Sequence, residues 1–540
     1  MADSMDCTDI KNIGHLGIIC AIFKEYKLIQ KIDALLPKTS LNQKISHGEA
    51  VLAMIMQGLG YTNHRLYLSK EFFSNLALAD LFKPGLEYEN FNSSVLSRTL
   101  DEIYKYGATN FFSNVCLTTI TENNLLEKFL HIDTTSFSVT GKKYKGQGKF
   151  NLCHGYSKDY RNDLKQLVYL MVATEDGLPV FSEVHSGNAA DSELFEKTLL
   201  EVQSKLKDNI ENKIFVLDSS LYNKKFLLNK NISGYWISRV PESVKECKNI
   251  LETDYDDSFW TKEDIDYKYL QIDGIRYGGK LQKWILVRNR EAKYKEINTF
   301  QKKLDRQEKN IQRAIKKLEK RLFKENIECL EAIRKMRSNY KYFTFTQTVA
   351  SQHKKVRGTK KKVVIGFKAF LKYKRNESKI KKMKLRKGKF ILATNCFNKE
   401  VLPSEDILKA YRSRNRSIEG NFKFIKDKSV NLGQIYLKKE SRIEAMLMIM
   451  GLIIFVNKLA QKKLRSHLQD SKNNTTVPNQ LGKPIKNPTF SWASYLLRNI
   501  NKIRVLSNDI VIDKIHGIGK AQKTIIQAFG SHAEEIYGYP

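Results

Sequence analysis

The sequence predicts an α/β core with a mixed sheet, interrupted by a large insertion and preceded by a helical N-terminal region. Three observations predict it. Residues 126–240 run in the order strand, hairpin, helix, strand. Residues 245–398 break that order with a charged helical stretch and a lysine-rich segment. Residues 10–125 repeat apolar clusters at helical spacing and carry few strand signals.

In the N-terminal region, Val51, Leu52, Ile55 and Met56, then Phe72, Phe73, Leu76, Leu78 and Leu81, recur at helical spacing. FLHIDTTSFSV (129–139) has the β-branched content of a strand. LKQLVYLMVAT (164–174), the turn Glu175-Asp176-Gly177 and LPVFSEVHS (178–186) read as a hairpin. DSELFEKTLLEVQSKL (191–206) is an amphipathic helix that Asp191 or Ser192 can cap. KIFVLDSS (213–220) is a short apolar strand ending in Asp218. From Glu291 to about Met336, the 3-4 spacing of Ile297, Phe300, Leu304, Ile311, Ala314 and Leu318 predicts a long helix or an antiparallel pair. Gln307 on that seam argues against a coiled-coil dimer. KFILATNCF (389–397) reads as another strand, and 404–427 as one helix with Glu405 and Asp406 in its first turn. The apolar run Ala445–Val456 is too short to span a bilayer and reads as a buried helix. Residues 466–491 read as a polar linker, and 492–540 as a mostly helical tail.

The chain has 93 Lys and Arg against 58 Asp and Glu, a net charge of +35, which implies a polyanionic partner, nucleic acid rather than a membrane. The charge is unevenly distributed. Residues 1–100 hold ten basic and ten acidic residues, so the excess lies beyond them. Residues 351–390 hold seventeen basic residues and one acid, Glu377. Interleaved Val363, Val364, Ile365, Phe367, Phe370, Leu371 and Tyr373 favour a folded basic surface over a solvated tail, with Lys360, Lys361, Lys362, Lys381 and Lys382 as phosphate contacts. The seven cysteines form no CxxC pair, which argues against a disulfide framework and fits a cytoplasmic protein. The acidic, polar N-terminus is no signal peptide.

Three acids draw notice in so basic a chain. Asp133 interrupts an apolar strand, where a carboxylate is costly unless paired or metal-bound; a capping or edge-strand Asp is the alternative. Asp218 ends the run IFVLD, and ligands bind beyond the carboxyl ends of strands in open α/β sheets; a simple turn is the alternative. Glu419 lies among Ile418, Phe422 and Ile425, with Lys426 two turns along the same helical face; an ordinary surface Glu is the alternative. Oxygen-rich sets of this kind suit Mg²⁺ or Mn²⁺, and paired ions held by carboxylates drive phosphoryl transfer.

Several motifs in order resemble DDE transposases of the IS4-like group, most of all the IS1634 family. HIDTTSFSV resembles the strand of the first Asp, GYSKDYRNDLKQL (155–167) a family motif, HSGNAADSELF (185–195) its glycine-asparagine loop, and FVLDSSLYN (215–223) the second-Asp motif. WISRVP (236–241) resembles the strand that follows, and the N-terminal HLGIICAIFKEYKLIQKID and AVLAMIMQGLGYTNHRLYL the family's helical domain. The resemblance spans roughly residues 10–460. It implies an RNase H-like core with Asp133, Asp218 and Glu419 as a Mg²⁺-binding catalytic triad, Mn²⁺ as a substitute ion, and endonuclease and strand-transfer activity on double-stranded DNA at terminal inverted repeats and target. It also implies a homodimeric synaptic complex in a bacterial or archaeal cytoplasm, associated with the nucleoid and with no membrane. The implied organisation is a helical domain over 1–125, a core over 126–244 and 399–465, an insertion over 245–398, and a linker with a helical tail over 466–540.

One departure stands out. The group's signature sets Tyr, Arg, Glu and Lys at fixed spacing; Glu419 and Lys426 keep it, but Tyr411 and Arg414 each lie one residue too far from Glu419. A π-bulge would absorb the extra residue, or Arg412 or Arg416 would take the phosphate contact instead. Two rivals remain: an RNase H-like nuclease that cuts without joining, and a non-catalytic DNA-binding remnant or repressor. Elsewhere, DKIHGIGKAQKTIIQAF (513–529) is read as a plain helical turn rather than a phosphate-binding hairpin, and Trp260, Trp284 and His131 as packing residues.

Overall fold

A computed structural model describes residues 6–38, 43–61, 68–139, 150–155, 161–189, 191–206, 212–229, 233–427, 430, 437, 439–507 and 510–539. Residues 156–160 of the 155–167 motif, and the side chains of Asp191 and Ser192, lie outside what is described. The fold is mixed α/β, and the chain divides into two compact units: Met1–Ile237 with Lys409–Pro540, and Ser238–Leu408.

The first unit opens with β1 (Asp6–Asn12) and seven helices: α1 (Leu16–Glu25), α2 (Leu28–Leu35), α3 (His47–Leu59), α4 (Ser69–Ser74), α5 (Leu78–Leu81), α6 (Ser93–Tyr106) and α7 (Ala108–Glu122). Helix α3 is buried on every side and starts in a capping box, Ser46 accepting from the Glu49 amide and Glu49 from the Ser46 amide. Such a cap stabilises a helix by about 1 kcal/mol. The sheet follows: β2 (Phe129–Val139), β3 (Lys165–Thr174), β4 (Pro179–Ser186), β5 (Ile214–Leu217) and β6 (Tyr235–Arg239), in the order β4-β3-β2-β5-β6. Strands β2, β3 and β4 pair antiparallel as the hairpin spacing predicts, while β2 and β5 are parallel, joined through α8 (Asp191–Leu206). A short α9 (Lys224–Leu228) precedes β6.

In the second unit, α10 (Lys245–Glu252) precedes a sheet of β7 (Thr261–Lys262), β8 (Tyr267–Tyr277), β9 (Lys280–Asn289) and β12 (Lys389–Thr394), in the order β12-β9-β8-β7. The charged stretch is the helical pair α11 (Arg290–Lys320) and α12 (Asn326–Ser338). The buried stripe Phe300, Leu304, Ile311 and Ile315 packs with Cys329 and Ile333 of α12 and with a long ribbon, β10 (Phe343–Lys355) and β11 (Lys362–Arg375). The helical stripe therefore has its partner within the unit. Helix α13 (Glu377–Arg386) follows the ribbon. Trp284 is fully buried, and Trp260 lies under the Arg288 guanidinium, so both pack.

The single helix expected over 404–427 is instead α14 (Ser404–Ser413) and α15 (Ile418–Lys426), separated by a turn at 414–417. Helix α16 (Glu440–Gln469) is longer than its apolar run suggests, long and apolar enough to cross a membrane, yet almost all of that apolar window is buried. It packs on α3, α6, α7 and β4. Each buried Ile, Leu or Phe there contributes about 1.5–3 kcal/mol. Gly451 lets it approach the sheet, because a Cβ would come within 2.6 Å of the Phe112 ring and the Tyr169 hydroxyl. Arg442 ties the start of α16 to α6 through two hydrogen bonds to Asp101, at 2.7 and 2.6 Å.

The C-terminal region departs from the helical tail expected. Short strands β13 (Val477–Pro478) and β14 (Pro484–Ile485) lie within the expected linker. After α17 (Phe490–Leu497), β15 (Asn501–Ser507) and β16 (Ile510–His516) form a hairpin that pairs with β1 at the other end of the chain. The Gly-Ile-Gly run therefore joins a strand to α18 (Lys520–Ala528), before α19 (Ser531–Ile536). The distant partner, some 490 residues away, leaves no local signal, although Ile503 and Val505 alternate with Lys502 and Arg504 as in a strand.

Candidate active site

Asp133 and Asp218 are set side by side by strand register. Strands β2 and β5 pair in parallel with Leu130 opposite Phe215 and His131 opposite Val216. Two residues further along each chain stand Asp133 and Asp218, and Asp218 keeps an extended backbone, φ −75° and ψ 159°. Side chains two apart on a strand share a face, so both carboxylates leave the sheet on the same side, on strands about 4.8 Å apart. Asp218 also caps the short turn at Ser219–Leu221 through the Ser220 amide, 3.4 Å away, as its turn reading foresees. The β2/β5 boundary is where the strand order reverses: the chain builds outward through β3 and β4, then crosses to β5 and β6 on the other side. Open α/β sheets place ligand sites at that switch point.

Helix α15 covers the same face. Ile418, Asn421, Phe422 and Ile425 are buried beneath it, as the apolar stripe predicts. Phe422 meets Tyr169 edge-on at 6.4 Å, and Tyr169 pairs with Thr135 across the sheet. Asn421 donates to Met171 Sδ at 3.6 Å, and Met171 is the cross-strand partner of Asp133. The first turn of α15, which carries the exposed Glu419, thus lies near the level of Asp133. Lys426 lies over the Phe137 ring at 5.7 Å, four residues beyond Asp133 on β2. Along β2 the backbone of Phe137 lies about 13 Å from that of Asp133.

The turn between α14 and α15 absorbs the extra residue. The Glu419 amide donates to the Arg414 carbonyl at 3.1 Å, a five-residue span of the π type, within a broken helix rather than a bulged one. This brings Arg414 onto the first Asp: its Nη2 is 3.2 Å from Asp133 Oδ2, with only 6% and 16% of the two side chains exposed. The Arg414 guanidinium also lies 5.8 Å from the centre of the Tyr411 ring. Its Nε and Nη1 are buried with no hydrogen-bond partner. Arg412 and Arg416 are exposed. Beneath, His131 is fully buried, its Nε2 3.1 Å from the Ser413 hydroxyl; burial, aided by Arg414, pushes its imidazole down to about 3, so it is neutral.

The oxygen-only set fits a hard divalent ion, and two of its members are neighbours by register. Among the described residues, however, no three His, Cys, Asp or Glu gather closely enough to hold a metal ion. Asp133 meets Arg414 instead. Lys360, Lys361, Lys362, Lys381 and Lys382 are all exposed and belong to the second unit.

Sequence reasoning missed three contacts. The Arg414–Asp133 pair joins residues 281 positions apart and has no local signal. The Ser413–His131 bond was half-visible, because His131 shares the Asp133 face of β2. Asn421 is a polar residue within the apolar stripe of α15, and its buried amide also donates to the Gly177 carbonyl at 2.8 Å.

A family model described as a domain of unknown function, DUF4277, matches residues 8–117. No curated protein matches the chain. A solved structure, the Mos1 transposase paired-end complex with left transposon end, is similar at 13% identity over 36% of this chain and 57% of that one, with a TM-score of 0.13. At that score the two backbones do not superpose as wholes.

Proposed function

We propose that this chain is a DNA transposase of the IS4-like group with an RNase H-like core, acting on inverted-repeat ends and target DNA as a homodimer. The observation that carries the reading is the in-register pair Asp133 and Asp218 at the switch point of the sheet, beneath an acid-bearing helix. Asp133 and Asp218 would hold Mg²⁺, with Glu419 completing the set. Bound there, Mg²⁺ or Mn²⁺ supplies Lewis acidity to the attacking and leaving oxygens of a phosphodiester. Arg414 faces Asp133, and its unpartnered Nε and Nη1 are donors of the kind that bind phosphate. Tyr411 braces that guanidinium from its ring face. Lys426, at the end of α15 and over the Phe137 ring of β2, is a further phosphate contact. Neutral His131 fixes Ser413, and with it the approach of the 414–417 turn.

The Arg414–Asp133 ion pair also favours a second reading, a DNA-binding protein that has lost its chemistry. One experiment separates them: purified protein with Mg²⁺ and DNA carrying the ends that flank its own gene, beside Asp133→Ala and Asp218→Ala. The transposase reading expects metal-dependent nicking at the ends, reduced by at least about 10³-fold in both variants, equivalent to ~4 kcal/mol. Joining of pre-cleaved ends then distinguishes a transposase from a nuclease that only cuts. Binding without nicking, even with Mn²⁺, selects the second reading.

A further inference from the structure

We propose that the β10–β11 ribbon of the second unit is a duplex-binding arm whose tip enters the major groove of DNA. The proposal rests on the DNA-acting reading above and refines which part of the basic segment meets DNA.

The ribbon has a fixed root and a projecting tip. Its pairing runs from Phe343 opposite Arg375 to Lys355 opposite Lys362, with one irregularity at Gln352/His353. Near the root, Phe343, Ala369 and Leu371 join the buried core with α11 and α12. Phe323 and Phe367 exchange backbone hydrogen bonds of 3.0 and 2.8 Å, clamping β11 beside the irregularity. Gly366 is required there: its φ is +154°, and a Cβ would lie 2.5 Å from the Phe323 carbonyl oxygen. Beyond this clamp, every residue from His353 to Ile365 is exposed.

The tip is strongly basic. Residues 353–365 hold Lys354, Lys355, Arg357, Lys360, Lys361 and Lys362 and no acid. None of the six pairs with a described acid. Basic residues closer to the core are engaged: Arg375 with Asp305 and Glu308, Arg386 with Glu242, and Lys387 with Glu296. Of the seventeen cations, three make these ion pairs and six lie on the acid-free tip; the other eight are spread over the rest of β11, α13 and β12.

The shape selects duplex DNA among polyanions. Three or four residues per strand beyond the clamp project about 10–13 Å, enough to reach the floor of a groove about 8.5 Å deep. A two-stranded ribbon fits the roughly 12 Å width of the B-form major groove but not the narrow major groove of A-form RNA. The tip contains no Phe, Tyr or Trp, so it lacks the stacking platform that single strands need. Exposed Val356, Val363, Val364 and Ile365 can meet thymine methyls while the lysines meet phosphates.

The test uses the full chain with Lys354, Lys355, Lys360, Lys361 and Lys362 all replaced by Gln. A control replaces five exposed lysines of α11, Lys302, Lys303, Lys309, Lys316 and Lys317, by Gln. Binding to a short duplex is followed by anisotropy across a salt titration, with guanine N7 methylation protection as a second readout. The expected result for the tip variant is a log–log salt slope shallower by about 4, since each phosphate contact contributes about 0.9. Binding should weaken roughly 100-fold at physiological salt, N7 protection should disappear, and the control should shift the slope by less than about 1. An unchanged slope and footprint, an equal loss in the control, or a wild type that ignores duplex each overturns the proposal. So does aggregation of the tip variant at unchanged slope, which would make the lysines guards of an exposed strand pair. Slope and footprint are read without Mg²⁺ and without cleavage, so they stand whichever way the nicking experiment falls and the two readings fail separately.

Discussion

Two charged regions of this molecule are treated in opposite ways. In the first unit, Asp133 and Arg414 are nearly buried and pair at 3.2 Å. In the second, six cations on the ribbon tip stand in solvent with no acid among them. A buried pair is required by the fold once either partner is present, because an unpaired buried charge is costly. Exposed unpaired charges add nothing to folding and repel one another. Their presence calls for a reason outside the fold. The first region therefore points to chemistry through geometry, the second to a partner through unsatisfied charge.

Substitutions sharpen that contrast. Arg414→Met should lower the unfolding free energy by about 3 kcal/mol in chelator, since it removes the guanidinium that faces the nearly buried Asp133 carboxylate at 3.2 Å. Denaturant titration checks this, and Mg²⁺ should recover part of the loss if it replaces the guanidinium as counter-charge. A loss below about 1 kcal/mol would mean that Asp133 is well hydrated and the buried half of the comparison is wrong.

His15 extends the burial argument to an imidazole outside the site. It bonds the Leu59 carbonyl at 2.7 Å, and burial pulls it down to about 4 from 6.5. Between those values the unfolded chain takes up a proton that the folded chain refuses. Stability carried by this group is thus complete above pH 6.5 and lost as pH falls towards 4, by about 1.4 kcal/mol per pH unit. Wild type should lose about 3 kcal/mol more than His15→Leu over that window. Parallel curves would contradict it.

Gly451→Ala should cost about 1–3 kcal/mol, because the new methyl meets Phe112 and Tyr169. Thermal unfolding of the variant measures it. At the small end, replacing the five tip lysines should leave stability within about 0.5 kcal/mol of wild type, as for surface changes generally. A larger loss would mean the tip has a structural duty and would remove its contrast with Asp133.

How much of this was legible in the sequence follows from the range of each interaction. Asp133 within a β-branched run and Asp218 after IFVL are local patterns, and the hairpin between them is a local turn. The stripe of α15 was likewise readable from spacing. Arg414 was visible only as a spacing anomaly; that its turn delivers it to Asp133 depends on how α15 lies on β2. In the three-stranded sheet of β1, β15 and β16, the alternation of Lys502, Ile503, Arg504 and Val505 was a local strand signal, but the pairing with β1 had none. In the basic segment, composition gave the charge, but only the ribbon pairing separates Lys360–Lys362 at the tip from Arg386 in its ion pair.

The central claim is that Asp133 and Asp218 act as one oxygen-donor pair. Mn²⁺ titration followed by electron paramagnetic resonance tests it most directly, on wild type, Asp133→Asn, Asp218→Asn and the double variant. Wild type should bind Mn²⁺ at a site that each single change weakens at least about tenfold, with the double variant little worse than either, as residues acting as a unit behave. Equal Mn²⁺ binding in all four proteins would contradict it.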